Sequence, residues 1–91
     1  MKQRRSREEV IHDMLFAIQQ KGGAIKPTHL LYKANLSHDA LQRYLEDLIK
    51  AGLVAEEKVK GGRKNFVLQE SGYHFLEQYK KFKEFSDAFG I

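Results

Sequence analysis

Two short segments of the chain carry several basic side chains and no acid. Their basic residues are Lys58, Lys60, Arg63 and Lys64 in residues 58–64, and Lys2, Arg4, Arg5 and Arg7 in residues 1–7. Together they hold eight of the 16 basic residues and none of the 12 acidic ones. One such cluster is compatible with ordinary solvated surface. Two of them in a small chain with a net charge of +4 indicate a polyanionic partner.

The residue types that carry most enzyme and metal chemistry are absent or unsuitably spaced. The chain has no cysteine, which excludes disulfides, thiol catalysis and thiolate metal sites. Its four histidines show no metal-ligand spacing, and no glycine-rich phosphate loop joins a strand to a helix. We therefore predict no catalysis, no metal, no cofactor and no small-molecule substrate.

The length and the hydropathy pattern restrict the class of protein. A chain of 91 residues is enough for one small domain. No apolar run approaches the roughly 18 residues of a membrane span, and no signal-peptide apolar stretch follows the charged start. We therefore expect a cytoplasmic protein.

Helical spacing of apolar residues predicts four helices that would position the basic segments. The first is expected over 6–21, with Ser6 and Glu9 as a capping box, and the second over a short stretch from Pro27 to Ala34. The third would begin after its cap Ser37 and end at Ala51-Gly52, and the fourth would cover 70–88. Tyr32 and Tyr44 are interpreted as core residues of the second and third helices. Residues 24–26 are expected to be a short link that bridges to a sheet.

The segment EEKVKGGRKNFVL, residues 56–68, is typical of a β-hairpin with a basic tip. A two-residue loop of Gly61 and Gly62 would place Val59 opposite Lys64. Alternation would then put Leu53, Ala55, Phe66 and Leu68 on the core face and Lys58, Lys60 and Arg63 on the polar face. Glu57 would lie opposite Phe66, which does not fit an apolar face and indicates a bulge or a longer loop.

Residues 26–54, KPTHLLYKANLSHDALQRYLEDLIKAGLV, carry a recognisable family pattern. This pattern resembles that of archaeal winged-helix regulators. It consists of Lys26-Pro27-Thr28, the run from Tyr32 to Ser37, the pair Tyr44-Leu45 with Leu48, and Gly52-Leu53 after the helix. The chain is similar to a family that includes small, basic, dimeric chromatin-associated proteins of Sulfolobus. Residues 66–72 match the entry to that family's last helix, with Gln69 in the place of a threonine.

The resemblance implies an α+β, mostly helical fold. It is a winged helix-turn-helix of three helices and a β-hairpin wing, with an additional C-terminal helix. The expected organisation is a basic N-terminal arm (1–7), a winged-helix domain (8–69) and a C-terminal helix for dimerisation (70–91). The implied function is double-stranded DNA binding by a dimeric transcriptional regulator or a nucleoid-associated chromatin protein. The alternative is a winged-helix module that binds a protein and not DNA.

The third helix would enter the major groove, and the wing and the arm would contact phosphates or the minor groove. The candidate base contacts are Ser37, His38, Gln42 and Arg43. The candidate backbone contacts are Lys2, Arg4, Arg5, Lys26, Thr28, His29, Lys33, Lys58, Lys60, Arg63 and Lys64. Among the wing residues Lys64 is ranked last, and for Thr28 a helix-capping role is the preferred interpretation.

The last helix has an aromatic face that would pair two copies of the chain. The predicted homodimer interface consists of Phe75, Leu76, Tyr79, Phe82, Phe85 and Phe89. Alternatively, this helix folds back and covers its own domain.

Overall fold

The structure is a computed structural model that describes residues 4–91, so Lys2 lies outside the described residues. Its elements are α1 (Arg7–Gln20), β1 (Ala24–Ile25), α2 (Pro27–Ala34), α3 (His38–Lys50), β2 (Val54–Val59), a 3-10 turn (Lys60–Gly62), β3 (Arg63–Leu68) and α4 (Glu70–Ala88). This order confirms the predicted winged helix-turn-helix with an additional C-terminal helix.

The start of α1 is fixed by a capping box, as the sequence predicts. The Glu9 backbone N–H donates to Ser6 Oγ at 3.1 Å, and the Ser6 backbone N–H donates to Glu9 Oε1 at 2.8 Å. The bond from the Ser6 backbone, followed by the bond with its side chain, lowers the pKa of Glu9 from its usual value near 4.5. The cap satisfies amides that the first helical turn leaves without partners.

One hydrophobic core joins the helices to the base of the sheet. The largest side chains with almost no exposed surface are Met14, Leu15, Ile18, Leu30, Leu48 and Val54. From α4, Leu76 completes the cluster, and Phe75 packs against its edge. Burial of each large aliphatic side chain contributes roughly 1.5–3 kcal/mol, so these contacts set the relative positions of α1, α2 and α3.

The helix-turn-helix departs from the sequence-based interpretation at two residues of α2. Lys26 is the N-cap of this helix and makes no side-chain capping bond, so the capping role preferred for Thr28 is wrong. Tyr32, interpreted as core, is 74% exposed because Leu30 and Ala34 define the buried face of so short a helix. After α2, Asn35 adopts the left-handed conformation (φ 54°, ψ 57°) that turns the chain towards α3.

The sheet has the strand order β1-β3-β2, and both pairings are antiparallel. The predicted link at residues 24–26 contains the two-residue strand β1, which pairs Ala24 with Val67 and Ile25 with Phe66. Between β2 and β3 the predicted register is wrong by one residue. Val59 pairs with Arg63, not with Lys64, because the loop contains three residues, Lys60–Gly62.

The longer loop explains why Glu57 did not fit the predicted register. Glu57 pairs with Asn65, and Glu56 is the residue opposite Phe66. Directly paired residues share a face, so Val54 and not Ala55 packs on the core side with Leu68. Gly61 (φ 80°) and Gly62 (φ 72°) supply the positive φ angles that this three-residue connection uses.

We expect Ser6→Ala to lower the free energy of unfolding by about 1 kcal/mol, because it removes the N-cap of α1. Urea denaturation measures this loss. A folded-state pKa below the unfolded value means that Glu9 contributes stability above its unfolded pKa. That contribution is lost as the pH falls through the folded pKa. Titration of Glu9 by NMR should show its pKa rising only part of the way towards 4.5 in the variant, because the Ser6 hydroxyl is lost while the backbone N–H at position 6 remains. An unchanged pKa would contradict the contribution of the Ser6 side chain.

Candidate nucleic-acid interface

An open cleft lies between the N-terminal end of α2 and the wing formed by β2, β3 and their connecting turn. Its volume is about 740 Å³, and its residues are Lys26, Pro27, Thr28, Val59, Lys60, Gly62, Arg63, Lys64 and Asn65. Four of these residues are cations and none is an acid, so the cleft has a strongly positive lining. The fold therefore places Lys26 in the same cleft as basic residues that lie more than thirty positions later in the sequence.

The corrected register distributes the wing cations differently from the prediction. Lys58 pairs with Lys64 and therefore shares its face, whereas Arg63 lies on the opposite face with Val59. Lys64 Nζ lies 3.2 Å from Glu56 Oε2 and 5.7 Å from the centre of the Phe66 ring. Lys64 thus lines the cleft with part of its charge balanced by Glu56.

The outward face of α2 carries hydrogen-bond donors and no acid. Thr28, His29, Tyr32 and Lys33 all lie there with at least part of their surface exposed. Thr28 lines the cleft, and Tyr32 lies one helical turn further along the same stripe. This face therefore continues the positive lining of the cleft towards the turn between α2 and α3.

The exposed face of α3 has a different electrostatic character. His38, Gln42 and Arg43 are exposed, and the Ser37 hydroxyl oxygen accepts the N-capping bond from the Ala40 backbone N–H at 3.2 Å. The helix has three acids against two bases, a net charge of −1. The candidate base-contacting side chains are thus brought together on one helix that does not itself attract polyanions.

The basic segment at the N-terminus is partly held against the domain. The Arg5 guanidinium donates to Asp13 Oδ2 at 2.8 Å and to the Asn35 carbonyl at 2.9 Å. Arg7 lies over the Tyr44 ring at 5.8 Å and pairs with Asp47 at 3.1 Å. Residues 1–7 were expected to form an N-terminal arm; Arg5 and Arg7 contact the domain, whereas Arg4 is exposed.

The aromatic face of α4 divides into two halves. Leu76 is buried, Phe75 packs on the core, and the Tyr79 ring stacks on His12 of α1 with 4.3 Å between centroids. Further along, Phe82, Phe85 and Phe89 remain 64%, 58% and 68% exposed. The predicted interface residues are therefore not equivalent, because the first three already have partners within the chain.

Within residues 4–91, no three His, Asp or Glu side chains come together in an arrangement that could hold a metal ion. No helix among these residues combines the length and apolar character needed to cross a membrane.

Sequence reasoning missed two features of this surface. A helical-wheel projection of α2 could have predicted the exposure of Tyr32, because Tyr32 lies on the side of the helix opposite to Leu30 and Ala34. No local signal indicated that Arg5 would reach the carbonyl of Asn35, thirty residues away.

The fold and its exposed surfaces define a winged-helix protein, and comparison with known proteins agrees. The family model described as winged helix-turn-helix matches residues 4–87. The chain belongs to this winged helix-turn-helix family. No curated protein matches the sequence.

Several solved structures share the fold. Sso10a-2, a DNA-binding protein from Sulfolobus solfataricus, is 21% identical with a TM-score of 0.80, over 93% of this chain and 85% of the other. A winged-helix DNA-binding protein from STIV is 19% identical with a TM-score of 0.77, over 88% of this chain and 92% of the other. MepR, a transcription regulator of the Staphylococcus aureus multidrug efflux pump MepA, is 18% identical with a TM-score of 0.73, over 88% of this chain and 61% of the other.

We expect Arg5→Ala to destabilise the fold by about 1 kcal/mol, because it leaves the carboxylate of Asp13 and the carbonyl of Asn35 without this donor. The measurement is urea denaturation at moderate salt. Arg4→Ala is the matched control, since it removes the same charge from an exposed neighbouring position. Equal stability of the two variants would contradict the anchoring role of Arg5.

Proposed function

We propose that the protein binds double-stranded DNA as a homodimer and acts as a transcriptional regulator or a chromatin-associated nucleoid protein. In this proposal α3 enters the major groove, while the cleft between α2 and the wing contacts the phosphate backbone. The wing tip reaches phosphates or the adjacent minor groove. The protein has no catalytic role.

The observation that carries the proposal is the positive cleft between α2 and the wing. Lys26, Lys60 and Arg63 line it together with Lys64, and no acid lines it. Phosphate contacts supply most non-specific affinity for DNA, and each neutralised phosphate releases counterions. The two DNA-binding proteins from Sulfolobus solfataricus and STIV share the fold, which also supports this choice of partner.

The exposed polar residues of α3 are suited to reading base edges. Arg43 can form two hydrogen bonds with guanine, and Gln42 can do so with adenine. His38 and Ser37 lie at the start of the helix, the end that contacts base edges in helix-turn-helix proteins. We assign base contacts to this helix and general affinity to the cleft, because α3 itself is net negative.

The second half of α4 supports the proposed dimer. Phe82, Phe85 and Phe89 would together leave a large apolar surface in water, and the Phe85 and Phe89 rings lie 4.7 Å apart. Contiguous exposed apolar surface of this kind marks interaction sites in soluble proteins. A two-fold pairing of these helices would present two copies of α3 to successive major grooves, about 34 Å apart.

A second candidate function is a winged-helix module that binds another protein. Three residues of α3 favour it. Asp39 and Glu46 would repel phosphates, and the partly exposed Ile49 has no use beside them. The acid-free cleft argues against it. Absence of DNA binding at low salt would favour this alternative.

We expect the triple variant Lys26→Ala, Lys60→Ala and Arg63→Ala to bind random-sequence duplex DNA at least about tenfold more weakly at low salt. Its salt dependence should be shallower, by about 0.9 in d log K/d log[salt] for each phosphate that the variant no longer neutralises. Fluorescence anisotropy titrations at about 50 and 200 mM salt measure both quantities.

The control for this experiment is the variant Lys21→Ala, Lys80→Ala and Lys81→Ala. It makes the same change in net charge at exposed positions outside the cleft. Equal decreases in affinity for the two variants would mean that only overall charge matters and would contradict the assignment of the cleft. A wild-type protein that does not bind duplex DNA at low salt would overturn the proposed function itself.

We expect sedimentation equilibrium at tens of micromolar to give a mass of about twice 10.6 kDa. The double variant Phe82→Asp and Phe85→Asp should be monomeric, because it would bury unpaired charge in the interface. Phe16→Asp, on an exposed aromatic of α1, is the control and should remain dimeric. A wild-type mass near that of one chain would refute the dimer.

A further inference from the structure

The exposed position of Tyr32 indicates a role that neither the core nor the predicted site residues include. A single aromatic side chain at a protein surface needs no special explanation. Tyr32, however, projects from the face of α2 opposite to the buried pair Leu30 and Ala34, with 74% of its surface exposed. The position of Tyr32 relative to the cleft therefore indicates what this side chain could bind.

Tyr32 lies one helical turn beyond Thr28, a residue of the cleft. Thr28 lines the cleft between α2 and the wing, and Tyr32 follows it by four residues on the same helical stripe. The Cα–Cβ bonds of a helix tilt towards its N-terminus, so the side chain of Tyr32 leans towards Thr28 and the cleft. A ligand that lies along the cleft and continues past Thr28 would therefore meet Tyr32.

The chemistry around Tyr32 suits an anion. The segment from Lys26 to Ala34 contains two lysines and no acid, and the wing cations line the cleft together with Lys26 and Thr28. A tyrosine hydroxyl is uncharged near neutral pH and can donate one hydrogen bond. A phosphate oxygen is a charged acceptor, which strengthens such a bond.

We propose that the Tyr32 hydroxyl donates a hydrogen bond to a backbone phosphate of duplex DNA that lies along the cleft between α2 and the wing. This inference rests on the proposed function and adds the contact of an uncharged hydroxyl to a site whose lining includes four cations. Because no cation is involved, the contact contributes affinity without counterion release.

The test is Tyr32→Phe, which removes the hydroxyl and keeps the ring. We expect it to weaken binding of random-sequence duplex DNA about tenfold at both low and moderate salt, with an unchanged slope of log K against log salt. Tyr73→Phe is the matched control, since it removes a tyrosine hydroxyl from an exposed position on α4. Thermal unfolding followed by circular dichroism should show that both variants remain folded.

Three outcomes would overturn the inference. If Tyr32→Phe binds as tightly as wild type, the hydroxyl makes no contact, even if Tyr32→Ala binds weakly because the ring is absent. If the slope becomes shallower by about one, the effect comes from a displaced cation. If Tyr73→Phe weakens binding as much, the effect is not local. In each case the wild type still binds DNA, so the proposed function survives, whereas failure of the wild type to bind overturns both.

Discussion

The pairing of β3 with both neighbouring strands is the interaction on which the rest of the molecule depends. One end of β3 buries Phe66 and Leu68 in the core, and the other end carries Arg63 and Lys64 on the wing. The Leu68 backbone N–H also donates to the Gly23 carbonyl at 2.8 Å, which ties the strand to the end of α1. A slip of one residue would exchange the two faces of a strand, so the register that builds the core also directs the wing side chains.

Two kinds of surface lie on either side of the turn between α2 and α3. The cleft between α2 and the wing is positive and carries no acid, whereas α3 is net negative with a few side chains suited to base edges. In the proposed function, attraction to DNA and discrimination among sequences therefore come from different elements. Arg7 pairs with Asp47, and in the proposed complex this ion pair would reduce the repulsion between α3 and phosphates.

The C-terminal helix has a similar division along its length. Its first half belongs to the domain, because Leu76 is buried and Tyr79 stacks on His12. Its second half exposes three phenylalanines that the chain does not cover. The interpretation that this helix folds back over its own domain therefore holds for its first half. Its second half leaves an apolar face free, and the pairing of two copies through that face stays a prediction.

The sequence by itself determined the order and most boundaries of the elements, because their signals are local. The capping box of Ser6 and Glu9, the periodic apolar faces and the turn glycines act within a few residues of each other. Only the tertiary structure decided the hairpin register and the anchoring of Arg5 at Asn35. It also joined Lys26 to Lys60 and Arg63 in one cleft. These features depend on which buried faces pack together across the chain, and local periodicity carries no information about such distant contacts.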